Sequence, residues 1–229
     1  MVGFDGASDP YPSFSTDGES PGRSGFLKPT HDLLCPYRTM DILLSFFIGL
    51  GLSASCGFRV FVPLLIISVA AFSGQMTLAP GFAWIGSSPA VIAFGIATLL
   101  EVGGYYFPCV DNILDTVATP AAVVAGSIAM ASMVSGMDPF LQWALAIIAG
   151  GGVAGLIQGA TVVTRAASSL TTGGVLNPLV ATAELGGAVL GSVLSMAAPI
   201  FMAVLVTVAI LLISVWFSRR KATLVASRA

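Results

Sequence analysis

Charge is what this sequence has least of. Of its 229 residues 9% are charged, where a soluble chain carries about a quarter. No lysine occurs between Lys28 and Lys221, and residues 60–100 hold no charged side chain at all. A soluble domain of this length must cover its surface with charge, so the pattern excludes one. With 56% apolar residues, an integral membrane protein is expected. Cysteine is equally sparse. Cys35, Cys56 and Cys109 lie far apart with no CxxC spacing, which implies neither a zinc site nor a disulfide framework. The single histidine, His31, lies outside the apolar region, and histidine chemistry inside the membrane is thereby set aside. The basic residues cluster only at Arg219, Arg220 and Lys221, so no nucleic acid partner is expected. Nothing in the sequence calls for a cofactor.

What is present divides the chain in three. Residues 1–39 are rich in Gly, Pro, Ser and Asp without periodicity, and a disordered tail is expected there. They lack the apolar core of a signal peptide. Met40 directly precedes the first apolar run and is an alternative initiator, which would make the preceding residues a mis-assigned start; both readings stand. Residues 40–218 form the transmembrane helical domain, and 219–229 a short basic tail.

Within the domain, apolar runs cover residues 42–72, 90–107, 119–135, 140–163, 179–196 and 200–217. The first exceeds the ~30 Å hydrocarbon core, and with Gly49, Gly51, Gly57 and Pro63 inside it a kink or break near Pro63 is predicted. The fold class is therefore all-α, a polytopic transmembrane bundle of about six helices, some short or broken. Arg38 precedes the first helix and the basic cluster follows the last, so both termini are expected in the cytoplasm. Gly151, Gly155 and Gly159 make one small-residue stripe; Ala183, Gly187, Gly191 and Ser195 make another. Such stripes let helix backbones approach closely in lipid and point to a tightly packed core or an oligomer face.

Against this background the buried ionisable residues are conspicuous. Asp138, in "SGMDPF", reads as a helix start. Arg59 lies within "GLGLSASCGFRVFVPLLI", where a charge at the bilayer centre costs about 2.5–3.5 kcal/mol on insertion scales. Glu101 and Glu184, each in apolar sequence, are its expected partners. Arg165 opens "RAASSLTTGGVLNP", a polar uncharged stretch containing Asn177 that suits a re-entrant or unwound segment. The order Arg59, Glu101, then Arg165, Glu184, with a Gly-Gly pair near each glutamate, is a weak sign of a degenerate internal repeat. The four residues either tie helices together or line a polar site. Asp111 and Asp115 are one helical turn apart and could hold Mg²⁺ for an intramembrane enzyme, but no second acidic motif or nearby lysine accompanies them, so the chain is not expected to be an enzyme.

The stretches "GLSASCGFRVFVPLL", "LLEVGGYYFPCVDNILDTVATPAAVVAG" and "QGATVVTRAASSLTTGGVLNPLVATAELGG" together resemble a bacterial multi-pass membrane family, domain of unknown function 4126, over about residues 41–217. The resemblance implies a small helical inner-membrane protein with no established activity, and marks Arg59, Glu101, Asp111, Asp115, Arg165, Asn177 and Glu184 as its motif positions. The function expected is binding or transport of a small solute, ion or lipid through a polar intramembrane site. The rival is a non-transporting scaffold or accessory subunit whose charges are structural. Partners expected are the lipid bilayer and further copies of the chain or a membrane complex.

Overall fold

A computed structural model describes the backbone of residues 36–106 and 108–226, and the side chains of residues 40–106, 114 and 116–215. Of the expected tail, residues 1–35 lie outside these bounds while residues 36–39 open the first helix, and of the basic C-terminal tail residues 219–226 continue the last helix. Among the described residues the chain is helical, with no strand. The helices are α1 (Pro36–Cys56), α2 (Phe61–Phe72), α3 (Ser88–Gly104), α4 (Pro108–Met133), α5 (Pro139–Leu145), α6 (Gly152–Thr172), α7 (Asn177–Ala197) and α8 (Pro199–Ala226). A 3-10 turn, Pro80–Gly86, leads into α3 at an angle of 65°. A π-helical turn, Ala146–Gly151, joins α5 to α6, so that Pro139–Thr172 runs on as one long apolar helix. By length and composition three helices can cross a membrane, or four if the bent pair before α4 counts as one, and shorter apolar helices accompany them.

Local chemistry sets the helix starts. Ser87 caps α3 by accepting the Ala90 N–H, and Asp138 caps α5 by accepting that of Phe140 at 2.9 Å, as its Asp-Pro context predicts. At the other end of α4, the Gln142 amide donates to the carbonyls of Ala131 and Val134, both at 2.7 Å. Groups that a helix terminus leaves bare are thus satisfied inside the protein, which the membrane requires.

Helix α1 is the hub, packed against α4, α6, α7 and α8. One apolar core joins Leu52, Cys56, Val60, Leu64 and Ile67 to Ala122, Ala125, Ala129 and Met130 of α4; another joins Ala54 to Val153, Ile157, Met202 and Val206. Large apolar side chains also point outward, Leu99 at 75%, Ile148 at 76% and Leu190 at 71% exposure. In water that would be untenable over so many positions; facing acyl chains it carries no penalty.

Small residues allow the close crossings. A Cβ on Gly191 would stand 2.6 Å from the Ser55 hydroxyl, and one on Gly51 would collide with Ser195. Gly51-x-x-x-Ser55 of α1 and Gly191-x-x-x-Ser195 of α7 therefore meet reciprocally. Gly151 lies against Ser127 and Gly155 against Val123 of α4, but Gly159 has nothing within 4 Å and Gly187 makes only ordinary contact with Phe58. The expected stripes are thus packed over part of their length. Gly159 and Gly187, both half-buried, lie beside these close crossings and not in them.

Two expectations are corrected. The first long run breaks at residues 57–60, between α1 and α2, rather than near Pro63. Pro63 falls in the first turn of α2, where a missing N–H costs nothing, whereas Gly57 presses so closely on α6 that a Cβ would lie 2.6 Å from the Ala154 oxygen. The stretch from Arg165 is not unwound through its length. α6 continues to Thr172, and Thr171 and Thr172 donate back to Ala167 and Ser168 four residues earlier, so the polar side chains are satisfied within a regular helix. Only residues 173–176 leave it, through Gly173 and Gly174 at positive φ, the left-handed conformation that ends many helices.

Candidate functional site

The break after α1 brings Arg59 into the interior. Gly57 and Phe58 donate to Ala54 and Ser55, and Arg59 to Ser55, which finishes α1 in a tight turn. α2 then begins with N–H groups that have no partner in their own helix. Glu101 of α3 supplies one: its carboxylate accepts Val60 N–H at 2.7 Å and Phe61 N–H at 3.0 Å. A carboxylate at a helix N-terminus meets both free donors and the positive end of the helix dipole.

Arg59 is 2% exposed. Its Nη2 donates to the carbonyl of Ala181 in α7 at 2.9 Å and lies 3.5 Å from Glu184 Oε2. Among the described residues its Nε and Nη1, both buried, have no hydrogen-bond partner. Arg165, on α6 and 4% exposed, grips the same glutamate in a fork. Nε donates to Glu184 Oε1 at 3.0 Å, and Nη2 to Oε2. Both guanidinium carbons stand over the ring of Tyr105, at 3.8 and 3.9 Å from its centroid, a geometry in which the ring quadrupole attracts cations.

Of the expected site residues, Arg59, Arg165 and Glu184 therefore meet directly. Arg59 was expected to pair with Glu101 or Glu184; among the described residues Glu184 alone lies within ion-pair distance of it. Glu101 is turned instead to the backbone of α2, where it satisfies the two N–H groups that open the helix. Asn177 begins α7 and its amide donates to Ser169 of α6 at 3.1 Å, fastening the turn between the two helices. The side chains of Asp111 and Asp115, the candidate Mg²⁺ ligands, lie outside the described residues. Tyr105 and the Ala181 carbonyl were missed by the sequence reading. Tyr105 left a signal, an aromatic four residues after a buried glutamate and hence one helical turn along the same face; a backbone carbonyl leaves none.

A helical bundle with an outward apolar surface and a buried charge cluster at a helix break is a polytopic α-helical membrane protein. A family model described as a domain of unknown function, DUF4126, matches residues 46–220, and the chain belongs to that family. No curated protein and no solved structure matches it.

Proposed function

We propose that this protein binds a small solute, ion or lipid at the Arg59 cluster and passes it through the membrane. The observation that carries the reading is the pair of buried donors on Arg59, Nε and Nη1, with no hydrogen-bond partner among the described residues. An unsatisfied buried polar group is costly, and within a bilayer ionisable residues of this kind mark ligand and ion pathways. The two donors suit an anionic or carbonyl oxygen. A broken helix beside them is the usual scaffold for a site near the membrane midplane. In this proposal the chain sits in a bacterial inner membrane with both termini in the cytoplasm, works as an oligomer or within a membrane complex, and is not an enzyme.

A second reading, a scaffold held by structural charges, is favoured by the matched fork between Arg165 and Glu184. Cys56 separates the two. It is fully buried and ends α1 three residues before Arg59. In a Cys35→Ser, Cys109→Ser background, a small charged thiol reagent added to intact membranes is expected to label Cys56 slowly, as the site opens to water during its cycle. Labelling only after denaturation would overturn the proposal and leave the scaffold.

A further inference from the structure

A pocket of about 440 Å³ opens beside the cluster, lined by Val60, Phe61, Leu100, Glu101, Tyr105 and Val117 among others. Its rim is open to the outside of the bundle: Leu100 is 71% and Val117 61% exposed, and Val117 lies on the segment Thr116–Met133 that is long and apolar enough to cross a membrane. The residues that line it are apolar apart from Glu101 and Tyr105. Each oxygen of that carboxylate accepts one backbone N–H, and a carboxylate offers about four acceptor positions, so each retains capacity toward the pocket. Among the described residues no cationic side chain lies within ion-pair distance of Glu101.

We infer that this pocket is a binding site for a membrane-dissolved amphiphile: an apolar chain that ends in a hydrogen-bond donor, a hydroxyl or an ammonium. The chain enters sideways from the bilayer between α2, α3 and α4, and its end donates to Glu101. Wall chemistry selects the chain and the acceptor-only carboxylate selects the end, since a hydroxyl or an ammonium can donate to it and an ionised acid cannot. Tyr105 lines the same pocket and its ring carries both guanidiniums, so the pocket adjoins the Arg59 cluster. The inference rests on reading that cluster as a ligand site, but its test does not depend on Cys56 labelling.

The test uses the full chain in lipid nanodiscs with three photoreactive probes, a long-chain alcohol, the matching amine and the matching carboxylic acid, each with a diazirine within the chain. The alcohol and amine are expected to label Leu100, Leu114 or Val117 about tenfold more than the acid, the ratio lost with one charge-assisted hydrogen bond. Excess unlabelled alcohol is expected to abolish that labelling. Ala97→Phe and Ala121→Phe, which fill the pocket, are expected to remove it, and Glu101→Gln to erase the advantage of the amine over the acid. Equal labelling by the acid would overturn the inference. So would unsaturable labelling of the wild-type chain, or labelling spread evenly to Leu190 and Val193 on the far helix, either of which describes boundary lipid only. If a filling variant fails to fold, saturation in the wild type alone decides the matter. Cys56 labelling without saturable probe binding would refute the amphiphile and leave the solute site intact.

Discussion

Arg59 and Arg165 share a glutamate and a tyrosine ring, yet their backbones differ. Arg165 sits inside a regular helix, so its own N–H and carbonyl are already spent and its side chain alone must find a partner. It finds one in full, a two-point fork on Glu184. Arg59 sits where the helix stops. There the backbone needs help from Glu101, and the guanidinium takes a carbonyl and the looser side of a carboxylate that Arg165 already holds. The first arrangement is a lock between α6 and α7. The second leaves donors over, which is the condition for receiving something else. A duplicated ancestry would predict matching surroundings for the two arginines, and locally they do not match.

Removing Glu184 breaks both arrangements at once. Glu184→Leu is expected to cost about 3–5 kcal/mol, the penalty for stranding buried charges, and thermal unfolding in nanodiscs reads it as the largest loss in the series. Arg165→Leu should cost nearly as much, because it strands a carboxylate held at two points. Arg59→Leu should cost less, about 1.5–3 kcal/mol, the scale of one hydrogen bond to a charged group. Equal losses for the two arginines would erase the distinction drawn here. Charge exchange sharpens it further: Arg165→Glu with Glu184→Arg should recover part of the stability of either single change.

Smaller effects probe the break itself. Gly191→Ala places a methyl group against Ser55 and is expected to cost about 1–3 kcal/mol by overpacking, whereas Gly159→Ala, into open space, should cost nothing and gain slightly in helix propensity. Glu101→Gln weakens the cap on α2. The expected loss is about 0.5–2 kcal/mol, with faster hydrogen exchange confined to the Val60 and Phe61 amides. Pro63→Ala should be nearly silent, since Pro63 stands in a first turn; a large effect would place the break at Pro63 after all.

Much of this was legible in the residues. Runs of apolar sequence without charge mean a bilayer environment whatever the tertiary arrangement, because an isolated charge cannot be carried into hydrocarbon without a partner. The same reasoning singled out Arg59, Glu101 and Glu184, conspicuous because their neighbours are apolar, and Arg165, which stands out at the head of a polar but uncharged stretch. The helix start at Asp138 was equally readable, being a matter of a few adjacent residues, whereas the cap at Ser87 was not singled out.

Which glutamate serves which arginine was not legible. Ala181 is 122 positions from Arg59 along the chain and meets it at 2.9 Å, and such a contact depends on how α1 and α7 cross, through Gly51, Ser55, Gly191 and Ser195 together. The site of the break was hidden for the same reason. Proline announces itself in a sequence, while Gly57 matters only because α6 lies against it. Sequence by itself determined the solvent of this protein and the inventory of its buried charges, since both follow from transfer free energies of single side chains. Tertiary structure alone decided the pairing, the turning of Glu101 to a helix end and the pair of donors left on Arg59, because hydrogen bonds act over about 3 Å and only packing brings distant segments that close.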